Sequence, residues 1–465
     1  MAINKKLIHF KNKENFDKEV ANENILDSSI VFIQDSKEIS THGTVYKSVN
    51  WSVLGEGSMN YKTNYAIINA LLRGDSKLWS YEPEYFYSSL EDAITDINNS
   101  VKELAISDST NAKIKVVKNN IFFLDNITLN SPITISSTIN IYINNKQFNC
   151  NGLITVTGCL NIYADKCKIN TNCSTFLNVE GYCSLIGGNY NIKISGNETS
   201  SLTPEKSIIV SGTLNIKNIV LEITNSIGSA TVIWTEENSI LRGFNSIITC
   251  NIPDGFAYGL YSNGEVKLEH CKVTAHSNHT ANAAGTDYAT TSRGIKADLG
   301  SLELSECYVY GAHSGMTVKC PLKITGGIYN GFSHGGIYAS ANNSEIILSD
   351  CEIYDVDISE GCTYDAVAGT NHAAFYIGAG SYMNIYVDNC RFYGVIQPIV
   401  MKYNSSSSHD NYLYLSNTTI NTDYTRSAVR NDGANYIKFG MGVNITSSDL
   451  ENDVNWEETG LCYRK

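Results

Sequence analysis

The sequence predicts a mainly β chain wound as a right-handed parallel β-helix, a solenoid, preceded by a small α+β module and a helical cap. Three observations predict it. One apolar frame recurs along the chain, charged residues are only 17% of the composition, and proline occurs six times among abundant Asn, Ser, Thr, Tyr and Gly. This composition suits a turn-rich β protein with polar but uncharged faces and argues against a helical bundle. The 465 residues allow two or three domains, although elongated all-β architectures run longer as one unit.

The repeat decides the fold. In the frame apolar-x-apolar-x-x-anchor-x-apolar the chain reads INIYADKCKI, VKLEHCKV, LELSECYV, IILSDCEI and NIYVDNCRF, anchored at Cys167, Cys271, Cys307, Cys351 and Cys390. Gly188, Ile219, Gly327 and Thr418 fill the same slot elsewhere, and Ser246 in LRGFNSII is a poorer match. A second frame, small-apolar-x, falls between the first ones as GLYSNG from Gly259, GIKADLG from Gly294, GMTVKC from Gly315, GIYASAN from Gly336, AFYIGAG from Ala374 and PIVMKYN from Pro398. Each coil therefore carries at least two short strands, and it can bury its apolar face only by stacking on its neighbours. Neighbouring anchors are about 20 to 39 residues apart, so extra residues leave as loops, the longest being His276–Ser292 and Asp355–Thr370. About eleven coils follow.

Thirteen cysteines suggest disulfides, but the count is odd and MAINKKLIHFKNKENF has no apolar core of an export signal. Buried free thiols are the expectation: an inward slot at a tight corner, repeating about 4.8 Å along the stack, selects small residues. A column interrupted by Gly327 does not present the tetrahedral set that a metal requires, so no metal or cofactor is expected.

Ahead of the repeats, SSLEDAITDINNSVKEL reads as an amphipathic helix with Ser88 and Glu91 as a capping box and Leu90, Ala93, Ile94, Ile97, Val101 and Leu104 in one stripe. It is placed to cover the open apolar end of the solenoid. Before it, Ser29–Gln34 and Glu38–Ser40 read as a hairpin across Asp35-Ser36-Lys37.

The run ENILDSSIVFIQDSKEISTHGTVY resembles a small N-terminal module of virion proteins of Bacteroidetes-infecting phages, including crAss-like phages. IVFIQDSKEISTHG is the most specific part, and Ser40 stands where that family usually has an aromatic residue. The resemblance covers about a tenth of the chain and implies a virion attachment module, with Ile30, Phe32, Ile33 and Trp51 as attachment residues, in front of a β-helical shaft. It also implies a homotrimer that contacts capsid or tail proteins. The expected divisions are 1–50 for attachment, 51–110 for an aromatic linker and cap, 111–440 for the β-helix and 441–465 for a closing segment.

A formal net charge of −13 argues against nucleic acid or anionic membrane as partner. No run of about 18 apolar residues occurs, so no membrane insertion is expected, and the chain is placed in a virion assembled in the host cytoplasm. AHSG, SHGG and NHAA put His313, His334 and His372 in a common slot, a column that is either a corner ladder or, with Arg293, a ligand site. Twenty-nine tyrosines suit carbohydrate recognition along the solenoid face as well as strand propensity. The expected function is a head or tail fibre that touches host-surface or mucus glycans and is not an enzyme. The alternative is a tail-spike depolymerase, a hydrolase with paired carboxylates from Asp287, Glu360 and Asp365 or a lyase using Arg293 and His313.

Overall fold

The computed structural model describes residues 7–10, 14, 30–33, 38–41, 44–47, 83–107, 109–194, 204–224, 228–253, 255–277, 292–331, 335–340, 344–355, 373–378, 382–394, 398–401, 411–422, 429–431, 436–446 and 463–464. Contacts divide the chain into Met1–Glu84 and Tyr85–Lys465. In the first unit Leu7–Phe10 runs parallel to Ile30–Ile33, which pairs antiparallel with Glu38–Thr41, which pairs antiparallel with Thr44–Lys47. Ile33 faces Glu38 across the hairpin turn.

The second unit has a parallel β-helix-like architecture. Three long sheets of 16, 13 and 12 strands take every third strand in chain order, the 16-stranded one adding Glu84–Tyr87 and Ile114–Val117 at one end and Tyr463–Arg464 at the other. One coil therefore gives one strand to each sheet, as Thr138–Tyr142, Phe148–Cys150 and Ile154–Val156 do, and the next coil repeats it with Cys159–Tyr163, Lys168–Thr171 and Leu177–Val179. The 12-strand sheet fixes twelve complete three-strand coils among the described residues, one more than the sequence frames suggest. The frames undercount because the corners at Asn145 and Gly442 are followed by Lys146 and Val443, which a small-residue anchor does not pick out.

Register is held by inward columns of apolar residues. In the first sheet Ile139, Leu160, Cys183, Leu214, Leu241, Val266, Leu302, Leu322, Ile346, Ile385, Leu413 and Ile437 are successive partners, and all are buried. Burying each Leu or Ile is worth about 1.5–3 kcal/mol, and a one-residue slip would turn the whole column outward.

The anchors occupy the corner between the first and second sheets. The residue before each anchor has a left-handed backbone, with φ between 46° and 74° at Asn145, Lys166, Gly187, Asn218, Asn245, His270, Glu306, Gly326, Asp350, Asn389, Asn417 and Gly442. From Gly187 to Asn417 its N–H donates to the next coil, as from Asn218 to Phe244 O at 3.0 Å and from Glu306 to Thr325 O at 2.8 Å. The anchor carbonyl then accepts from the coil after it, as Cys271 O does from Tyr308 N at 2.9 Å. The anchor side chain points inward and caps the carbonyl two residues back: Cys271 Sγ to Glu269 O at 3.3 Å, Cys307 Sγ to Ser305 O at 3.3 Å, Ser246 Oγ to Phe244 O at 2.9 Å and Thr418 Oγ1 to Ser416 O at 2.7 Å. Cys, Ser and Thr thus close the corner with a small donor, Gly188 and Gly327 leave the slot without a side chain, and Ile219 fills it as a buried apolar group. All eleven described cysteines are free. Burial pushes the Cys307 thiol up to about 12, which keeps it protonated and unreactive.

The helix, α1, spans Leu90–Asn99 and is capped by Ser89, whose Oγ accepts from Asp92 N at 3.1 Å. The expected cap Ser88 is thus one residue early: Ser89 stands three residues before an N–H it can reach, and Glu91 turns away to accept from Asn130 N at 3.3 Å. The stripe ends sooner than expected, because Ser100 takes a left-handed conformation and leaves Leu104 exposed. Leu90, Ala93, Ile94 and Ile97 join the core, and Asn98 bonds Thr134 O at 2.6 Å and Ser136 N at 3.1 Å beside the first third-sheet strand. Asp96 is buried with them and accepts from Tyr87 Oη at 3.1 Å and Leu104 N at 2.9 Å.

Gly327 has φ 90°, and a Cβ there would sit 2.2 Å from Cys307 O. Gly327→Ala should therefore cost at least about 1–2 kcal/mol. It should lower the melting temperature, whereas Lys166→Asn, which places a residue tolerant of this backbone in the neighbouring column, should not.

Candidate functional site

The third sheet carries the richest constellation. Ala257–Ser262, Ser292–Ala297 and Ser314–Val318 are successive strands in which Tyr258 faces Arg293, Arg293 faces Ser314, and Tyr261, Lys296 and Thr317 form the next column. Gly294 lies between the two columns because the strand meets the second sheet here. A Cβ on it would stand 2.7 Å from Tyr310 O and 2.7 Å from Gly315 O. Arg293 and Lys296 flank the buried Gly294–Ile295 pair and are themselves half-buried.

Two of the ligand candidates named from sequence, Arg293 and His313, belong to one hydrogen-bonded chain. His313 Nδ1 is 3.1 Å from Ser314 Oγ, which is 3.1 Å from Thr317 Oγ1. Thr317 Oγ1 accepts from Arg293 Nε at 3.0 Å, and Arg293 Nη1 donates to Tyr258 Oη at 3.4 Å. His313 is 5% exposed and Ser314 is fully buried, so this His–Ser contact has no open face from which to attack a substrate. It orients Arg293 instead. Burial raises the Tyr258 hydroxyl above its ordinary value, with Arg293 opposing, so the phenol stays protonated.

Alongside lies a charged cluster on an aromatic stack. Trp234 and Tyr261 stack at 4.0 Å, with Lys206 Nζ 3.5 Å over the indole and Lys296 Nζ 4.2 Å over the Tyr261 ring. Glu236 accepts from Trp234 Nε1 at 2.8 Å, and Asp298 accepts from Tyr261 Oη at 2.5 Å. Lys296 and Lys319 approach the same Asp298 carboxylate at 3.3 and 3.2 Å. Burial works to raise the Asp298 pKa, but the Tyr261 hydroxyl and the two lysines outweigh it and hold the carboxyl below its usual range. Burial lowers Lys296, and Asp298 offsets part of that. Tyr338 and Tyr376 continue the column as a stack at 5.0 Å.

His334, His372, Asp287, Glu360, Asp365 and Trp51 lie outside the described residues. Ile30, Phe32 and Ile33 lie on the Ile30–Ile33 strand. Among the described residues no group of three His, Cys, Asp or Glu side chains converges as a metal site. The reading from sequence missed Tyr258, Tyr261, Lys296 and Lys319 as site residues, although the second frame held the signal. The residue two after each small position (Tyr261, Lys296, Thr317, Tyr338, Tyr376, Val400) is one continuous column in register, half-buried at Tyr261, Lys296 and Tyr338 and buried at Thr317, Tyr376 and Val400.

No protein-family model matches the chain, and no curated protein matches it.

Because its folded pKa is depressed, Asp298 contributes stability above the unfolded carboxylate value of about 3.9, and that contribution is lost as pH falls through the folded value. The melting-temperature gap between the chain and an Asp298→Asn variant should be present at pH 7 and should close below about pH 4 in a calorimetric series.

Proposed function

We propose that the chain is a structural protein of a phage virion, a trimeric head or tail fibre attached to the particle by its N-terminus and touching host-surface or mucus glycans with its β-helix. The outward third-sheet column carries the glycan part. It sets Trp234 and Tyr261 on neighbouring coils and, past Lys296 and Thr317, Tyr338 stacked on the buried Tyr376, with Lys206 over the indole and Lys296 over Tyr261; the half-buried rings suit sugar faces and the ammonium groups suit hydroxyls. The resemblance of IVFIQDSKEISTHG supports the attachment part, and this run spans the Ile30–Ile33 and Glu38–Thr41 hairpin. A right-handed winding follows the rule for parallel crossovers. Helix α1, bonded through Asn98 to the first third-sheet strand, is the proposed cap. Trimerisation would protect the lateral strands of a shaft with few charges.

Deleting residues 1–50 should abolish incorporation into particles and leave a folded species with three times the mass of one chain by light scattering. Unchanged incorporation would refute the attachment assignment. The depolymerase alternative predicts new reducing ends or unsaturated products when the protein is incubated with host capsular polysaccharide or mucin. None is expected, and release abolished by Asp287→Ala or Asp365→Ala would overturn the non-enzymatic reading.

A further inference from the structure

A second outward feature lies on the second sheet, away from the charged column. Ile247–Ile252, Lys272–Ser277 and Tyr308–Gly311 are adjacent strands there, and they enclose an open groove of about 370 Å³ lined by Thr249, Cys250, Asn251, Thr274, His276 and Tyr310. Register explains the hollow. Thr249, Thr274 and Tyr310 are successive partners, as are Asn251 and His276, and Ala275 faces Gly311. Two short threonines thus precede a large ring. The threonine hydroxyls bond each other at 3.1 Å, and the Cys250 thiol turns inward to Ala230 O at 3.5 Å.

The groove contains an orphan. His276 Nδ1 is buried and has no hydrogen-bond partner, and Asn330 Oδ1, in the strand next to Tyr310 on the same sheet, is buried and unpartnered as well. Folded proteins rarely leave such atoms unsatisfied, because each costs stability until something pairs with it. A ligand hydroxyl both donates and accepts, so it can serve either imidazole tautomer. Among the described residues the lining includes no carboxylate, ammonium or guanidinium and offers hydroxyls, one amide, one imidazole and one aromatic ring. The volume lies within the range of small-ligand clefts.

We infer that this groove is a binding subsite for a neutral saccharide unit, with hydroxyls paired to His276 Nδ1 and the Thr249–Thr274 row and the sugar ring against Tyr310. The inference rests on the glycan-contact reading and adds a second contact to it: the unit recognised in this groove is uncharged, and it sits on the second sheet, apart from the charged third-sheet column.

Calorimetric titration of the full chain with maltohexaose and chitohexaose, as neutral probes, and with polygalacturonate, as an acidic one, tests this. At least one neutral oligosaccharide should bind. His276→Ala should weaken it about tenfold, Thr274→Val severalfold, and Lys323→Gln on the first sheet not at all. The melting temperature of His276→Ala should not fall, since the change deletes an unpaired buried atom. Should that variant fail to fold, the near-isosteric Thr274→Val carries the test. Neutral binding that is unchanged in both groove variants, or binding of polygalacturonate alone, overturns the inference and leaves glycan contact standing. Binding of none of the three overturns both.

Discussion

The left-handed corner between the first and second sheets is the constraint on which the rest of the fold depends. Every coil must change direction there without leaving backbone groups unpaired, and one residue with positive φ does it by aiming its N–H at the next coil while the following residue offers its carbonyl. The inward side chain then closes the turn on the carbonyl two residues behind, and Cys, Ser and Thr all supply the necessary donor. Gly188 and Gly327 meet the corner by having no side chain to place, each at positive φ. A fixed corner lets the coil length range widely while the apolar columns stay aligned, so insertions need not disturb the stack.

The outer faces are where this regular scaffold becomes chemically specific. A glycine at Gly294 brings the third sheet against the second, and the residues beside it become neighbours of their counterparts in adjacent coils. Residues 24 and 37 positions apart in sequence are thereby placed in hydrogen-bond contact, as with Arg293 and Thr317 and with Tyr261 and Asp298. The first sheet uses the same geometry for polar and aromatic ladders: Asn161 donates to Asn140 at 2.8 Å and Asn140 to Asn120 at 2.9 Å, and Tyr142 stacks on Tyr163 at 4.7 Å.

Much of this was legible in the sequence because stacking copies one local rule into every coil. The anchor alignment, from Cys167 through the weak match at Ser246 to Thr418, is the physical column. What resisted reading was whatever the repeat does not copy. The second-sheet strand was concealed because its short alternation follows the corner directly. Asp96 inside an apolar helix face gives no sign that Tyr87 and the Leu104 amide are waiting for it. Arg293 and His313 were singled out as types, but their connection passes through Ser314 and Thr317, which no motif marks. The Asp298 cluster was missed because its members come from three coils and none is unusual alone.

The in-register pairing also has a mechanical side. Hydrogen bonds between coils lie along the stacking direction, so tension applied along that direction passes through every interface between coils in series, and each interface bears the whole load on its own three strand pairings. The resistance of such a stack is therefore set by its weakest interface and not by its length. The bonds of α1 to Thr134 and Ser136 then act as a latch at one end of that series.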